Sequence, residues 1–494
     1  VGTSAREGNR VGHVDLAIIG SGSGLSLIDD DIDGWRIALI DNGVGPTDAF
    51  GGTCLNAGCI PTKMLAMPAR YAVAPAQARA VDVNLSFRGA DFAALQARVF
   101  GRTDAIAASG LAGLVARPNV SVLHGAATFI DAHTLHVAGQ TFTADRIVLA
   151  AGSRPRLLDA PGFDEPYLGA FVHTSESIMR VPQLPKRLII IGGGTEAVEF
   201  GHIFSGLGSQ VAIIARRDSL LRAFDPDVAA AVTAALGERV VLRLNQQATG
   251  LEPDDDGGVV LTTQDPDGIE YSYAADAVLV CAGRIPNGDQ LHLERAGVEV
   301  DDEGFVRTDE HLRTTAAHIW ALGDICNRHM LKHLANAQAR VVKRNLLAER
   351  DGGALVASDE RFVPQGVFGL PEVATVGATA AELERAGTPF VAYTHKYGWT
   401  AYGWAIADEN HFVKLLGDPE SGRLLGAHIV GPEATSLIQP LIQGMSFGQD
   451  ASTIARGQYW IHPAPTEVVE NALLGLDRAI AEHRRAGEAP GTAI

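Results

Sequence analysis

Runs of about five apolar residues, each ending in glycine or a charged residue, recur along the chain and predict buried parallel strands. Val14-Asp15-Leu16-Ala17-Ile18-Ile19, Arg36-Ile37-Ala38-Leu39-Ile40 and Arg187-Leu188-Ile189-Ile190-Ile191 are the strongest. They show little of the polar alternation that a half-exposed strand would carry. Between and after them, apolar positions return at helical spacing over 64–80, 92–115 and 197–207, which predicts packing helices. Shorter strands are predicted at 120–129, 134–137, 146–150, 210–215 and 278–281. Strands alternating with helices predict an α/β fold, and the recurrence of the pattern predicts two such units. From about Phe362 strands and helices continue without glycine-bounded apolar runs, as expected of a separate C-terminal α+β unit.

Two of the strands run directly into glycine-rich loops. The first reads Gly20-Ser21-Gly22-Ser23-Gly24, expected to open a helix, and the next strand ends in Asp41 about 20 residues on. Such a loop lets backbone approach a pyrophosphate seated on a helix N-terminus, while the acid binds a ribose hydroxyl. Leu25 stands in the third glycine position, with Gly24 just before it, and Asp29-Asp30-Asp31 reads as a solvated helix end. The second loop is Gly192-Gly193-Gly194-Thr195-Glu196-Ala197. Its following strand ends not in an acid but in Ala215-Arg216-Arg217, with Arg222 close behind. Arginines there suit a 2′-phosphate better than a 2′-hydroxyl, with Arg217 as readily a merely solvated side chain.

Composition narrows the field. The 494 residues predict about three domains at roughly 150 residues each. A net charge of −18 excludes nucleic acid and anionic membranes as natural partners. No apolar run approaches 18 residues and no signal-peptide pattern precedes the first strand, so a soluble cytoplasmic protein is expected. Of four cysteines, only Cys54 and Cys59 are near neighbours, within Gly51-Gly52-Thr53-Cys54-Leu55-Asn56-Ala57-Gly58-Cys59-Ile60-Pro61-Thr62-Lys63. An extended chain would hold their Cα atoms roughly 16 Å apart, and a regular helix would leave about 7.5 Å of rise. A bridge therefore needs a distorted turn, which the glycines permit. So short a loop gains little from closure, which favours exchange over stapling, although a staple or two separate buried thiols remain open. Cys281 and Cys326 lie in apolar contexts expected of inert thiols, and no cysteine or histidine spacing suggests zinc.

The segment 51–63 resembles the active-site signature of the class I pyridine nucleotide–disulfide oxidoreductases, the glutathione reductase-like family, and the likeness runs from about Val14 to Leu476. That resemblance implies an α/β fold with two Rossmann-like dinucleotide-binding domains and a C-terminal α+β dimerisation domain. The implied divisions are an FAD-binding domain over 11–152 and 284–361, an NADPH-binding domain over 153–283 and a dimerisation domain over 362–478. The remainder, 479–494, is expected to be a disordered tail. FAD would be held by Gly20, Gly22, Ser23, Gly24, Asp41, Gly52, Thr53, Ala127, Ala151, Gly152, Arg284, Gly323 and Asp324. NADPH would meet Gly192, Gly194, Thr195, Glu196, Arg216, Arg222 and Gly283. Cys54 would be the thiol that attacks substrate and Cys59 the one lying against the flavin, with Lys63 near the flavin and paired with Glu199. Arg456 to Glu467 resembles the family's C-terminal signature, which makes His462 the acid–base residue, oriented by Glu467 and acting on the cysteines of the other subunit of a homodimer. Text from Leu437 to Gln443 and from Gly457 onward resembles the mycothione reductase branch, implying mycothione as the small disulfide substrate. Thr195 and Glu196 depart from the aromatic and apolar residues the family usually carries there.

Overall fold

The computed structural model describes residues 11–163, 169–255 and 257–488. The first apolar runs become β1 (His13–Ile19), β2 (Ile37–Asp41), β3 (Val120–His124) and β4 (Gln140–Leu149). They lie side by side in the order β3-β2-β1-β4, all parallel, and Ile319–Ala321 pairs in parallel with the end of β4. Leu16, Ala17, Ile18, Leu39 and Val148 have no exposed surface, as central strands covered on both faces require. Thr134–Val137 and Ala127–Phe129 extend this sheet in antiparallel fashion.

The second unit is built on β5 (Arg187–Ile191), β6 (Gln210–Ala215) and β7 (Ala277–Val280). With Val241–Leu244 and Val172–His173 they form an all-parallel five-stranded sheet, flanked by a three-stranded antiparallel meander over 247–275. The chain leaves the first unit through Ser153–Pro155 and returns through Arg284–Pro286, and these two segments pair with each other. A five-stranded antiparallel sheet, including β8 (Phe412–Gly417) and β9 (Leu424–Val430), forms the C-terminal unit.

This third unit is fastened to the second by a buried charge. Asp225 has no exposed surface and accepts hydrogen bonds from Lys414 Nζ at 2.8 Å and from Ala380 N at 3.0 Å. Burial works against that charge, but these hydrogen bonds outweigh it and hold the carboxyl below its ordinary range.

Three expectations change. The first glycine loop opens only a five-residue 3₁₀ turn, Ser23–Leu27, followed by a second at Asp30–Ile32, instead of an α-helix. Asp29, Asp30 and Asp31 are exposed as expected, but they flank this second 3₁₀ turn and not an α-helix end: Lys343 binds Asp29 and Asp31, and Arg117 lies against Asp30 and Asp33. The tail expected from 479 is instead the second half of a helix, Glu467–Glu488, carried by apolar Val469, Leu473, Leu476 and Ile480 on one face. Residues 489–494 of that expected tail lie outside the described residues.

Candidate active site

The redox segment folds as two helices broken at Ala57-Gly58: α1 (Gly52–Asn56) carries Cys54 and α2 (Cys59–Arg79) begins at Cys59. The break is the distorted turn that the spacing demanded. Both cysteines are thiols here, and their side chains are hydrogen-bonded to each other. That hydrogen bond holds the Cys54 thiol below its usual range against the effect of burial, and the Lys332 ammonium adds to it. The same hydrogen bond, burial and the Cys54 charge push Cys59 up.

The first glycine loop sits directly against this segment. Gly20, at φ +113°, could not carry a side chain, because a Cβ would meet Ala150 O at 2.1 Å. A Cβ on Gly52 would fall 2.5 Å from Gly22 Cα, so loop and redox helix touch backbone to backbone. Gly24 does not face the cavity: a Cβ there would press within 2.9 Å of Ile18 Cγ2, so its smallness serves turn-on-strand packing and not cofactor contact. Asp41 is buried at the end of β2 and accepts from Ser21 Oγ at 2.5 Å and Gly43 N at 3.2 Å. Asp324, after Gly323, accepts from Ser153 Oγ at 2.7 Å.

The second loop opens a true α-helix, α3 (Thr195–Leu207), whose N-cap Gly194 offers no side-chain acceptor and leaves the first amides available. Arg216 and Arg222 are exposed, and no carboxylate lies within ion-pair distance of either among the described residues. Leu221 N donates to Gly193 O at 2.7 Å, which ties the arginine loop to the glycine loop. Glu196, the unexpected acid, lies 3.7 Å from Arg284, which also stands 3.8 Å from Glu176. Burial raises both carboxyls above the ordinary range, and Arg284 opposes it. Arg284 further donates to Ser153 Oγ and O, both at 2.8 Å, so one cation bridges the two dinucleotide units.

Lys63 and Glu199 come near each other but form no direct ion pair, which corrects the expected pairing. Lys63 Nζ lies 3.8 Å from the centre of the Phe368 ring, and Glu199 accepts from Phe368 N at 2.9 Å. Phe368 therefore contacts both, one through its ring and the other through its backbone N–H. Burial raises the Glu199 carboxyl to about 7 and lowers Lys63, so this pair holds less charge than its residue types suggest.

A single cavity of about 1850 Å³ runs from Gly20 and Asp41, past Thr53, Cys54, Cys59, Lys63 and Glu199, to Gly192, Arg216 and Arg222. Ala127, Ala151, Gly152, Gly283, Arg284, Gly323 and Asp324 also line it, as do Thr195 and Glu196. Both glycine loops, Asp41 and the exposed Arg216 and Arg222 line this one cavity, so the donor set fits two dinucleotides. His462 and Glu467 do not line this cavity. They pair with each other, His462 Nδ1 to Glu467 Oε2 at 3.3 Å, on a face where Tyr459 and Ile461 are also exposed.

The model for the pyridine nucleotide-disulphide oxidoreductases matches residues 14–339, and that for their dimerisation domain matches 363–473. The chain belongs to this family. It is 42% identical over 472 residues to mycothione reductase of Mycobacterium tuberculosis, covering 94% of this chain and 99% of that protein. It is 35% identical to a dihydrolipoyl dehydrogenase of Haloferax volcanii, over 93% of this chain and 96% of the other. Among solved structures it resembles the HOCl-induced flavoprotein disulfide reductase RclA from Escherichia coli, with a TM-score of 0.79 and 27% identity over 93% of this chain and 99% of that one. Like other pyridine nucleotide-disulphide oxidoreductases, the chain is a flavoprotein enzyme that uses FAD and NAD(P)H, and it carries the family's dimerisation domain. No helix among the described residues is long and apolar enough to cross a membrane.

Several residues of this family site escaped the sequence reading. Ser153 lies in a stretch that resembles the family's crossing point but was given no role there, and Phe368 and Lys332 lie far from either glycine loop in sequence and have no motif of their own. Ile438, Gln439 and Ile442 of the C-terminal unit also line the cavity, and only the resemblance of that stretch pointed to it.

Proposed function

We propose that the enzyme reduces a low-molecular-weight disulfide, mycothione, at the expense of NADPH, through a Cys54–Cys59 redox pair. The continuous cavity that joins both glycine loops, with the two cysteines between them, carries this reading. Bound FAD supplies the two-electron transfer that lets a hydride donor reduce a disulfide.

The chain's own residues account for the rest. Arg216 and Arg222 offer guanidinium groups to a 2′-phosphate, and the open N-terminus of α3 receives the pyrophosphate. Cys59, at the first position of a 21-residue helix, is presented to the flavin side of the cavity. Cys54, the more acidic thiol, attacks one sulfur of the substrate, and the departing thiolate takes a proton from His462 Nε2. Glu467 holds Nδ1 and so fixes which nitrogen exchanges protons. Cys59 then attacks Cys54 of the mixed disulfide, releases the second thiol and restores the intramolecular bridge. Because His462 is exposed and does not line the cavity that holds the cysteines of its own chain, it serves those of a second subunit in a homodimer. Domain limits at 152, 283 and 361 go with this reading, as does a reducing cytoplasmic setting.

The substrate rests on the 42% identity to mycothione reductase and on the C-terminal sequence. NADPH oxidation with mycothiol, glutathione and lipoamide disulfides as acceptors tests it. Mycothione is expected to give the highest kcat/KM, and a preference for either other disulfide would overturn the assignment.

A further inference from the structure

Anion sites of dinucleotide folds draw on the positive end of the helix that follows the glycine loop. On the flavin side that helix is reduced to the five-residue turn Ser23–Leu27, which has no basic residue. Two residues beyond it the chain carries Asp29, Asp30, Asp31 and Asp33. A short 3₁₀ turn sums few peptide dipoles, and four carboxylates nearby oppose a phosphate-rich ligand. The loop alone is therefore a weaker diphosphate site than its sequence implies.

The compensation comes from another part of the chain. The helix Lys332–Asp351 packs along the turn. From its far half Lys343 binds Asp29 and Asp31, and Arg350 donates to Asp31 O at 3.4 Å, which neutralises the acidic run. From its first residue, Lys332 Nζ donates to Ser23 Oγ at 2.9 Å, inside the glycine loop. Ser23 in turn donates to Asn336 Oδ1 at 3.4 Å, one turn along the same helix.

Lys332 is half-buried and lines the cavity, and among the described residues no carboxylate lies within ion-pair distance of it. An ammonium has three donors, and one neutral hydroxyl takes only one of them. A partly desolvated cation in that state is costly unless an anion joins it. Lys343 and Lys414, by contrast, each already bind two carboxylates.

We propose that Lys332 is a phosphate ligand of the flavin dinucleotide, supplying from the helix Lys332–Asp351 the positive charge that the shortened turn after the first glycine loop does not. This rests on FAD occupying the cavity. Its field also reaches Cys54 and Cys59, so the same ammonium favours a thiolate there.

The test compares full-length wild type with Lys332→Met, Lys332→Arg and Ser23→Ala, by FAD fluorescence during release from the holoenzyme and during rebinding. Lys332→Met is expected to raise the Kd for FAD about 10–100-fold and to flatten its dependence on salt between about 0.05 and 0.5 M. Lys332→Arg should restore affinity to within several-fold of wild type. Ser23→Ala should weaken binding less, and the double variant Ser23→Ala/Lys332→Met should fall short of the product of the two effects. The proposal is overturned if Lys332→Met binds FAD within twofold of wild type with an unchanged salt slope. It is equally overturned if affinity is kept while the visible flavin spectrum shifts, which would place the lysine against the ring. Should Lys332→Met fail to fold, strictly wild-type FAD affinity and salt slope in both Lys332→Gln and Ser23→Ala would be the overturning result. Wild-type protein that retains no FAD would instead remove the flavoprotein reading beneath the proposal.

Discussion

The flavin-side and nicotinamide-side loops start from one pattern, an apolar strand running into closely spaced glycines, and part within a few residues. After Gly192-Gly193-Gly194 the chain makes the 13-residue helix α3, whereas after Gly20 to Gly24 it makes only a 3₁₀ turn. The second strand of the first unit ends in buried Asp41, and that of the second unit ends beside exposed Arg216 and Arg222. On the proposed function, one unit brings its own helix N-terminus and arginines to phosphate. The other provides an acid for a ribose and takes its cations from residues hundreds of positions away. A glycine fingerprint specifies how closely backbone can approach a phosphate, and it does not specify where the compensating charge comes from.

Replacing both Arg216 and Arg222 with Gln attacks the nicotinamide half of this contrast most directly. KM for NADPH should rise about 10²–10³-fold with that for NADH nearly unchanged, because two charge-assisted contacts to one phosphate are lost. Steady-state kinetics with both nucleotides checks it, and equal losses for the two would assign the arginines to folding. On the flavin side, Asp41→Ala should weaken FAD about tenfold, measured by titration of the flavin-free chain. Asp41 also holds Ser21 and Gly43, so part of that loss reflects a loosened loop.

Between the two halves, Glu199 titrates near 7 because burial disfavours its charge. Its folded pKa lies above the ordinary value of 4.5, so the native chain keeps a proton that the unfolded chain has lost. Stability from this group is full below about pH 4.5 and falls as pH rises towards about 7. Glu199→Gln should flatten that slope in urea unfolding of the flavin-free chain, a difference of about 1–3 kcal/mol across the window. The smallest effect is expected at Glu196. It is already partnered by Arg284, so Glu196→Ile should change NADPH affinity only a few-fold, as Arg284 keeps Glu176 and Ser153. A tenfold tightening would show that the carboxylate repels the nucleotide.

The central strands of both sheets were legible because they must be apolar throughout, while the edge strands Val241–Leu244 and Val172–His173 were not, and the cysteine spacing was legible because so short a bridge needs a break in the helix. The 3₁₀ turn was not. Ser23 to Asp33 keeps apolar residues at Leu25, Leu27, Ile28 and Ile32, a pattern compatible with a helix, and only the docking of Lys332–Asp351 decides otherwise. The contact of Phe368 with both Lys63 and Glu199 was invisible for a similar reason: Lys63 shares a helical register with Cys59, but the ring against its ammonium enters from another unit. His462 was singled out through its neighbours in sequence, and in one chain it does not line the cavity that holds the cysteines.

The ribbon formed by Ser153–Pro155 and Arg284–Pro286 bears on how the protein is made. It brings both ends of the nucleotide unit together, so that unit is an insertion within the other. On the ribosome, Leu149 must wait for roughly 170 further residues before its neighbour Ala321 emerges, while the inserted unit has all its strands much sooner. Order of closure thus runs against order of synthesis: the unit that starts the chain is the later of the two sheets to close, and its long-range pairing is the slower kind to form. Pulse-labelling of stalled nascent chains should find protection first in β5, β6 and β7, and protection of β1 and β4 beside Ile319–Ala321 only after that strand has cleared the exit tunnel.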